Sequence, residues 1–503
     1  MSKFFLTTAI DYSNGDPHLG HALEKIGADV IARYRRLRGD QVHFLMGMDE
    51  NSQSVIPMAE KRQITPQAWV DQLAARFADF WRRLECSNDD WIKTTEPRHI
   101  AGVLELLRRM EAKSPDDIFM ADYEGLYCNG CEDFKTEAQI VDGRCIEHPT
   151  LTPVPTKERN HFFRLTAYRD RLLAMITSGE LEVEPEIRRN EILRLLESGL
   201  QDISISRSRL AWGIPFPDDP GHTVYVWFDA VINYLSATGF PDPGYQRLWP
   251  ADLHVIGKGI TRFHCVLWPA MCLAAGIAPP KKVWAHGYVQ WLGAKMSKTA
   301  GTAVNLDDAI ERHGPDALRY FLIREVGFEA DGDFTWERFD ARYIADLADG
   351  LGNLVARSIA MIEKYRDGRI PIAPTTDLDD HAGIPVRRYT DAMEQLDLRG
   401  AAEAVTTLVT ASDQFIAKTT PWALAKAGNQ PELDRVLAAL FRSLYRITVL
   451  ATPLIPGKAA EIWTALGQAG PVDSQAWDRL QAPPTEGVTV RRPAILFPKP
   501  KPA

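Results

Sequence analysis

Two short peptides of this chain carry side chains suited to phosphate chemistry. In the first, His18 and His21 flank Gly20 directly after a strand-like run, at a predicted strand-to-helix turn. In the second, Lys295 and Lys298 lie on a short polar segment. A helix N-terminus binds phosphate through its N–H groups and its dipole, and lysines neutralise the charge that builds on departing pyrophosphate. Together the peptides predict a site that holds a triphosphate while its α-phosphorus is attacked.

Each peptide also has an ordinary interpretation. Histidines at a turn are often held by hydrogen bonds within the turn, and lysines on a polar loop are usually solvated. His18 and His21 are three residues apart, so both can face one side of the first helical turn, and Gly20 leaves room for a nucleotide to approach. The occurrence of both peptides in this order on one chain favours a shared site.

Composition and charge restrict the class of protein. Hydrophobic residues make up 45% of the 503 residues and charged residues 25%, as in a globular protein of several domains. The formal net charge is −9, so a nucleic acid would have to meet local basic patches. No apolar run is long enough to span a membrane and the N-terminus has no signal-type region, so we expect no membrane partner and a cytoplasmic location. Six cysteines in a chain of this length do not form a disulfide framework.

The hydrophobic pattern of the N-terminal part predicts a doubly wound parallel sheet of Rossmann-like α/β type. Strands at 4–10 and 42–46 flank a helix at 19–37, and a helical stretch follows at 65–110. The α/β pattern is lost between 118 and 220, and it returns at 223–228, 253–256 and 282–285. Because ligands of such sheets lie at the carboxyl ends of the strands, the histidine turn is well placed to bind one.

The C-terminal part has a different pattern. After about Ala345 apolar residues recur at helical spacing, and the segments 401–418 and 435–452 behave alike, which predicts an α-helical bundle. The segment 367–385 is rich in Pro, Asp and Gly and is predicted to be a connector.

The two peptides resemble the signature sequences of class I aminoacyl-tRNA synthetases, and the surrounding sequence resembles the methionyl-tRNA synthetase family. This resemblance extends to about residue 500, and the segments that carry it are 7–12, 225–230, 263–264, 268–271 and 286–289. It implies an enzyme that activates L-methionine with ATP and Mg²⁺ and transfers the methionyl group to the 3′ end of tRNA(Met), including initiator tRNA. The attacking carboxylate is already ionised at neutral pH, so the first step needs positioning and charge stabilisation and no general base.

The resemblance also assigns residues to the substrates. His18, His21, Lys295 and Lys298 are expected to be catalytic. The expected ATP-binding residues are His18, Gly20, His21, Gly257, Lys295, Ser297, Lys298 and Thr299. The expected methionine-binding residues are Ile10, Tyr12, Asp49, Trp227, Ala230, Tyr234, Ile260 and His264, with Asp49 holding the ammonium group. Aromatic walls suit a polarisable thioether, and His264 or Tyr234 is expected to donate weakly to its sulfur. From spacing alone, an ordinary core is the favoured interpretation of these helix-spaced residues, Trp227, Ala230 and Tyr234 as well as Ile260 and His264.

Four residues of the segment 118–220 have the spacing of a zinc knuckle: Cys128, Cys131, Cys145 and His148. Three thiolates and one imidazole would complete a tetrahedral Zn²⁺ site with no open position, which is typical of a structural metal. The alternative is unliganded thiols. The resemblance implies a knuckle that braces an insertion near the tRNA acceptor end.

Two pairs of residues in the helical part are candidates for contact with tRNA. Asn353 and Arg357 are four residues apart on one predicted helix face, and Pro421 and Trp422 begin another helix. The resemblance implies that these four read the CAU anticodon, since tryptophan stacks on splayed bases and Asn with Arg reads base edges. From pattern alone, Trp422 is a core aromatic residue at a helix start.

The resemblance divides the chain into five parts. These are 1–117, the first half of the catalytic domain; 118–220, the insertion with the zinc knuckle; 221–275, the second half of the catalytic domain; 276–345, the lysine-loop and stem-contact region; and 346–503, the anticodon-binding helical domain with a tail. The further C-terminal tRNA-binding domain through which some members dimerise is absent from this sequence, so we expect a monomer.

Three positions depart from the usual family sequence. Asn51 replaces a common histidine, Gly259 stands where many members have an aspartate that contacts the ATP ribose, and Thr299 replaces a serine. Thr299 keeps a hydroxyl group. Asn51 and Gly259 are expected to weaken ATP affinity or turnover, Gly259 more so because no neighbouring residue in the sequence replaces the carboxylate.

Two other functions are compatible with the sequence. One is a class I synthetase for another apolar amino acid, against which the set Trp227, Tyr234 and His264 and the absence of a large editing insertion argue. The other is a relative that binds tRNA or nucleotide without activating an amino acid, against which the intact histidines and lysines of the two signature peptides argue.

Overall fold

The structure is a computed structural model. It describes residues 2–13, 15–128, 130, 133–135, 137–146, 149–208, 212–295 and 304–499, except for the side chains at 133, 138, 294 and 295. Within these ranges it consists of a central parallel sheet with flanking helices, a smaller antiparallel part and a C-terminal group of helices. No helix of the described part is long and apolar enough to cross a bilayer.

The central sheet has seven strands, and all their pairings are parallel. In spatial order its main strands are Glu182–Glu184, Lys282–His286, Leu253–Gly257, Lys3–Thr8, Gln41–Asp49 and Asp90–Lys93. The seventh, Asp11–Tyr12, pairs with the last residues of Gln41–Asp49. Near-continuous apolar strands are typical of a sheet covered on both faces. The predicted α/β class is therefore confirmed.

Before the insertion the structure departs from the prediction at two points, an additional helix at Val55–Arg62 and a strand within the predicted helical stretch. The helix Leu19–Leu37 has the predicted bounds, and the short helix Val55–Arg62 follows the next strand. The predicted helical stretch at 65–110 is two helices, Pro66–Arg83 and Pro97–Lys113, separated by the strand Asp90–Lys93. This strand is short and polar at both ends, so it has no hydrophobic period that a sequence could reveal.

The described residues of the segment 118–220 contribute to two larger antiparallel sheets, to a two-stranded antiparallel sheet and to the central sheet. One antiparallel sheet consists of Ile118–Cys128, Asp133–Lys135, Val154–Phe163 and Ile203–Ser204. The other consists of Ser206–Ser208, Pro215–Phe216 and Asp219–Val224. Ile140–Val141 pairs with Arg144–Cys145, and helices lie at Arg169–Ser178 and Glu186–Ser198. Between these helices Glu182–Glu184 joins the central sheet, so this part of the segment is not separate from the catalytic sheet.

After the insertion, short elements surround the carboxyl ends of the central strands. They are the helices Val226–Ala230, Asn233–Ser236 and Trp268–Ala274, the 3₁₀ turn Lys258–Ile260, the π-helical turn Phe263–Leu267, and a small sheet of Val289–Trp291, Ala294–Lys295 and Gly332–Asp333.

From Leu306 onwards the described residues are mainly helical, and the helices after about Ala345 confirm the prediction. The longer helices are Leu306–His313, Pro315–Phe321, Trp336–Arg342, Asn353–Arg366, Asp377–Glu394, Leu398–Thr419, Gln430–Ala451 and Pro456–Ala465, with π-helical segments at Leu322–Val326 and Tyr343–Gly352 and short helices at Pro421–Lys426 and Ser474–Asp478. Buried Arg319 joins this part to the catalytic domain, because its guanidinium donates to Asp29 at 2.7 Å and to the Pro453 carbonyl at 2.8 Å.

The predicted connector at 367–385 is wrong in its second half. A helix begins at Asp377, where Thr376 and Asp379 form a capping box, and Pro385 lies inside it. The acidic residues that suggested a loop are favourable in the first turn of a helix, because they satisfy its N–H groups and its dipole.

Candidate active site

A cavity of about 260 Å³ lies at the carboxyl ends of the central strands. Its walls come from the residues that follow the strands Lys3–Thr8, Gln41–Asp49 and Leu253–Gly257, which is the usual ligand position of such a sheet. The predicted site residues that line it are Ile10, Tyr12, His18, Gly20, His21, Asp49, Trp227, Ala230, Tyr234, Gly257, Ile260 and His264. The fold thus brings the histidine turn and all the residues expected to bind methionine to one cavity.

The turn before the helix Leu19–Leu37 is organised by its two histidines. His18 is extended (φ −140°, ψ 172°), and its Nδ1 accepts the Gly20 N–H at 3.1 Å. Nδ1 of His21 accepts the His18 N–H at 3.3 Å, and the two rings stack with centroids 3.8 Å apart. Because each Nδ1 accepts a backbone proton, each neutral ring carries its own proton on Nε2. The turn therefore uses the Nδ1 atoms internally and presents Nε2–H donors beside a helix N-terminus, where phosphate binds well.

The electrostatic surroundings keep His21 neutral. Burial lowers its pKa well below the usual value, and nearby His18, Lys25 and His286 lower it further. At neutral pH His21 is therefore a hydrogen-bond donor and carries no positive charge, so any cationic stabilisation of phosphate has to come from other residues.

A buried group of ionisable side chains borders the cavity, and the sequence analysis missed it. Lys25 Nζ lies 3.0 Å from Asp11 Oδ1 and 2.9 Å from Glu24 Oε1, and it donates to the Ala9 carbonyl at 2.6 Å. Glu24 Oε2 lies 3.2 Å from His286 Nε2. Asp11, Glu24 and His286 all line the cavity. The one feature of the sequence that could have indicated this group is the adjacent pair Glu24 and Lys25, near the start of a helix that is otherwise apolar on this face.

Lys25 and Glu24 hold each other in their charged forms. Burial by itself lowers the pKa of Lys25, but the carboxylates of Asp11 and Glu24 raise it overall. Burial favours neutral Glu24, but Lys25 and His286 lower its pKa overall. Burial raises the pKa of Asp11 to about 6. The cavity wall therefore includes an ionised glutamate, which is a strong hydrogen-bond acceptor.

Aromatic rings form one side of the cavity. Trp227 stacks on Tyr12 with centroids 5.9 Å apart, and its other neighbour is Phe263 at 4.6 Å, with both ring pairs within 7° of parallel. Trp227 and Ala230 lie on the helix Val226–Ala230, which the sequence predicted as one face with Tyr234. In the structure these residues lie on two short helices, because Tyr234 belongs to the next helix, Asn233–Ser236. All three residues still line the cavity.

The pair Tyr234 and His264 leaves no strong donor for a thioether. His264 Nδ1 lies 3.0 Å from the Ile260 carbonyl, so this nitrogen carries the proton, and the neutral ring accepts the Tyr234 hydroxyl at Nε2, 2.7 Å away. Burial lowers the pKa of His264 to about 4, so the ring stays neutral at pH 7. The expectation that either side chain donates to sulfur is therefore wrong, because both protons are already used.

Asp49 and Asn51 connect two walls of the cavity. Asp49 is buried at the end of its strand, and its Oδ1 accepts the Asn51 N–H at 3.3 Å. The Asn51 amide donates to Asp229 at 2.6 Å, on the helix that carries Trp227. The opposite carboxylate oxygen of Asp229 lies 2.5 Å from His99 Nε2. Asn51 is not among the residues that line the cavity, so its own hydrogen bonds act on the cavity wall.

The second departure, Gly259, lies against a tyrosine hydroxyl. A Cβ atom at position 259 would be only 2.3 Å from Oη of Tyr288, closer than real Cβ atoms approach other atoms. Both residues line the cavity, and Tyr288 is 47% exposed. Lys258 Nζ lies 4.5 Å from the centre of the tyrosine ring, and the Tyr288 N–H is fixed by Asp331 at 2.9 Å. The absence of a side chain at 259 therefore leaves room for the Tyr288 hydroxyl at the cavity wall.

The lysine peptide is described only in part. The backbone of Lys295 pairs with Gln290, directly after the cavity residues His286–Tyr288. Ser297, Lys298 and Thr299 lie outside the described residues. The segment that leads to them thus starts at the cavity rim.

The zinc candidate is likewise described in part. Cys128 and Cys145 are buried against each other, and neither forms a disulfide. Cys131 and His148 lie outside the described residues. Two buried thiols in contact fit a shared soft metal ion.

The candidate anticodon residues lie in the helical domain. Asn353 and Arg357 are exposed on the helix Asn353–Arg366, and Arg357 Nη1 lies 3.6 Å from Asp413 Oδ1. Trp422 is 49% exposed, whereas Pro421 is buried. The interpretation of Trp422 as a core residue is therefore wrong, and its ring is available for stacking.

Comparison with known proteins agrees with this fold and site. Residues 4–152 and 149–359 match the family model described as class I tRNA synthetases (M). Residues 373–501 match the anticodon-binding domain of methionyl tRNA ligase. The parallel sheet and the cavity at its carboxyl edge thus belong to a class I tRNA synthetase.

Similar proteins identify the family of class I tRNA synthetases to which the chain belongs. The methionine–tRNA ligase of Caldanaerobacter subterraneus is 38% identical, over 99% of this chain and 78% of the relative. That of Thermotoga maritima is 40% identical, over 92% of this chain and 75% of the relative. A structure of Mycobacterium tuberculosis methionyl-tRNA synthetase in complex with methionyl-adenylate has a TM-score of 0.94 and 36% identity, covering 99% of this chain and 100% of the other. The chain belongs to the methionine–tRNA ligase family.

Proposed function

We propose that this chain catalyses the reaction of its family, the ATP-dependent ligation of L-methionine to tRNA(Met), including initiator tRNA. The observation that carries the proposal is the single cavity, which is lined by both histidines of the first peptide and by every residue expected to bind methionine. The similar Mycobacterium tuberculosis enzyme has methionyl-adenylate bound, and its structure closely matches this chain.

In the first step the methionine carboxylate attacks the α-phosphorus of ATP and pyrophosphate leaves. His18 and His21 donate through Nε2–H to phosphate oxygens, with the N–H groups of the helix start beside them. Lys295 and Lys298 neutralise the departing pyrophosphate, with Ser297 and Thr299 adding phosphate contacts. One well-placed donor of this kind is typically worth about 10²–10³ in rate. No side chain has to remove a proton from the carboxylate, which agrees with a neutral His21.

Mg²⁺ would accompany the ATP phosphates and lower their charge. The carboxylates at the cavity fit this arrangement poorly as a dedicated metal cage, because Asp11 and Glu24 are already paired with Lys25. We therefore assign the ion to the nucleotide.

Methionine is selected by shape and by contact with rings. The aromatic stack at Tyr12 and Trp227 and the neutral Tyr234–His264 pair form an apolar end, and Asp49 receives the ammonium group. Because sulfur–aromatic contacts need no proton donor, the Tyr234–His264 hydrogen bond serves to hold the wall rigid.

The nucleotide sugar is held by a different group from the usual carboxylate. We assign this contact to the Tyr288 hydroxyl, which occupies the space left by Gly259 and lies at the cavity wall near Gly257. A phenolic O–H both donates and accepts, so it can bond a ribose hydroxyl.

In the second step a ribose hydroxyl at the tRNA 3′ end attacks the methionyl carbonyl of methionyl-adenylate; the new ester bond forms, and AMP leaves as the hydroxyl proton is released. We propose that Asn353, Arg357, Pro421 and Trp422 read the CAU anticodon, since three of them are exposed on one helical domain. The division of the chain at 117, 220, 275 and 345, a monomeric state and a cytoplasmic location remain part of this proposal.

We also propose one structural Zn²⁺ ion at Cys128, Cys131, Cys145 and His148. The two described thiols are buried in contact, as a shared metal would require. The ion would supply folding energy to the insertion and take no part in the reaction.

The test is ATP–pyrophosphate exchange over a panel of amino acids, without tRNA. We expect exchange with methionine to exceed that with leucine, valine and isoleucine. Faster exchange with one of the others would support a different amino acid specificity. Absence of exchange in folded, zinc-loaded protein would support a binding protein without activation activity.

A further inference from the structure

A second cluster of metal-binding side chains lies in the insertion, away from the cysteines. His161 is on the strand Val154–Phe163, and Asp219 and His222 are on the strand Asp219–Val224. Their ligand atoms all lie within 4.8 Å of one another. Both imidazoles approach the same oxygen: Asp219 Oδ2 is 2.9 Å from His161 Nε2 and 2.8 Å from His222 Nδ1.

His222 directs its two ring nitrogens to different partners. Its Nε2 lies 2.8 Å from the Arg159 carbonyl oxygen, so Nε2 carries a proton. Nδ1 is then the ring atom that can bind a metal ion, and it lies 2.8 Å from Asp219 Oδ2. Donation of the second ring N–H to a backbone carbonyl is also the usual arrangement of histidines that bind metals.

The surroundings hold the ligands in place but leave them accessible. The His161 ring stacks on Phe216, with centroids 3.9 Å apart and planes 12° from parallel. The exposed fractions of the side chains are 16% for His161, 13% for His222 and 35% for Asp219. The imidazoles are thus mostly shielded, while the carboxylate faces an entry path from solvent.

We infer that His161, Asp219 and His222 bind one divalent transition-metal ion of the Zn²⁺ class. Two imidazoles and one carboxylate are typical ligands for such ions, and three protein ligands leave a position for water. The ion would fasten the strand Asp219–Val224 to the strand Val154–Phe163. Because Asp219–Val224 leads directly into the helix that carries Trp227, this fastening also steadies one wall of the methionine cavity.

The test counts metal ions on the full-length chain. Metal-free protein is titrated with Zn²⁺, and bound zinc is measured for the wild type and for His161→Ala, Asp219→Asn and His222→Gln. Glutamine keeps a donor for the Arg159 carbonyl, which guards against simple misfolding. We expect each variant, and the His161→Ala/His222→Gln double variant, to lose the same single equivalent. His381→Ala is the matched control, since this exposed histidine bonds only its own helix turn among the described contacts, and it should lose none.

Titration with Co²⁺ separates this site from the cysteine knuckle. Thiolate ligands give an intense charge-transfer absorption, whereas nitrogen and oxygen ligands do not. We expect His222→Gln to reduce cobalt binding without reducing the thiolate band, and Cys128→Ser to do the reverse. Unchanged metal content in folded His161 and His222 variants would overturn the inference and leave His222 as a protonated partner of Asp219.

Discussion

The contact between Gly259 and Tyr288 gives a prediction that can be worked out from distances. Alanine at 259 would place a Cβ atom 2.3 Å from Oη of Tyr288, so the tyrosine has to move. Tyr288 is 47% exposed, so its side chain can swing into solvent with little loss of folding stability. Its hydroxyl would then no longer reach the nucleotide. Loss of one neutral hydrogen bond costs about 1 kcal/mol, which corresponds to about a fivefold rise in KM for ATP.

A double-mutant cycle checks the reasoning. Tyr288→Phe removes the hydroxyl and should raise KM for ATP by about the same fivefold factor. In that background the nearest ring atom to the new Cβ is Cζ at 3.5 Å, an ordinary contact. Gly259→Ala should therefore add nothing to Tyr288→Phe, and the double variant should resemble either single variant.

The assay is pyrophosphate exchange at saturating methionine with varied ATP. Gly244→Ala is the matched control, because a Cβ there meets nothing within 4 Å and should leave KM unchanged. Two results would refute the role of Tyr288: no change in KM for Gly259→Ala, or an effect in the double variant equal to the product of the single effects, about 25-fold.

Four further predictions follow from the other sites. Lys298→Ala should slow adenylate formation by about 10²-fold while calorimetric methionine binding persists, and equal loss of both would contradict its assignment to pyrophosphate. Trp422→Ala should raise KM for tRNA(Met) by about tenfold, from a lost stacking contact, and leave pyrophosphate exchange unchanged; Ile372→Ala, at a residue 77% exposed, is the control. Cys128→Ser should lower bound zinc and the Tm more than the exchange rate, and a stable variant with full zinc would exclude the knuckle. Burial lowers the pKa of His264 from about 6.5 in the unfolded chain to about 4 in the folded protein. Between these two pH values the unfolded chain binds one more proton than the folded protein. The free energy of unfolding therefore decreases as the pH falls from about 6.5 to about 4. The measurement is urea unfolding at pH 7.5 and at pH 5. His264→Gln should make the decrease in the free energy of unfolding between these pH values smaller by about 2 kcal/mol. The control variant His381→Gln should not change it.

Much of this protein could be predicted from its sequence, because the relevant signals are local. The helix Leu19–Leu37 follows from its apolar period and its capping histidine, and the strands Gln41–Asp49 and Lys282–His286 follow from apolar runs next to turns. The resemblance supplied the class of enzyme and the methionine set, and all members of that set line the cavity.

Other features depend on contacts between distant segments, which local patterns do not contain. The strand Asp90–Lys93 exists because Gln41–Asp49 offers it hydrogen bonds, not because of its own composition. The ionised cluster of Asp11, Glu24 and Lys25 needs burial and proximity together, since neither carboxylate is unusual in the sequence.

The sequence by itself determined the fold class, the main helices and strands and the residue types available for phosphate and methionine, because these depend on periodicity and side-chain chemistry. Only the tertiary structure decided which protons are already used at Tyr234 and His264, what occupies the space beside Gly259, and which histidines meet Asp219. The physical reason is that hydrogen bonds and steric contacts act over about 3–4 Å, and folding alone sets those distances between segments far apart in the chain.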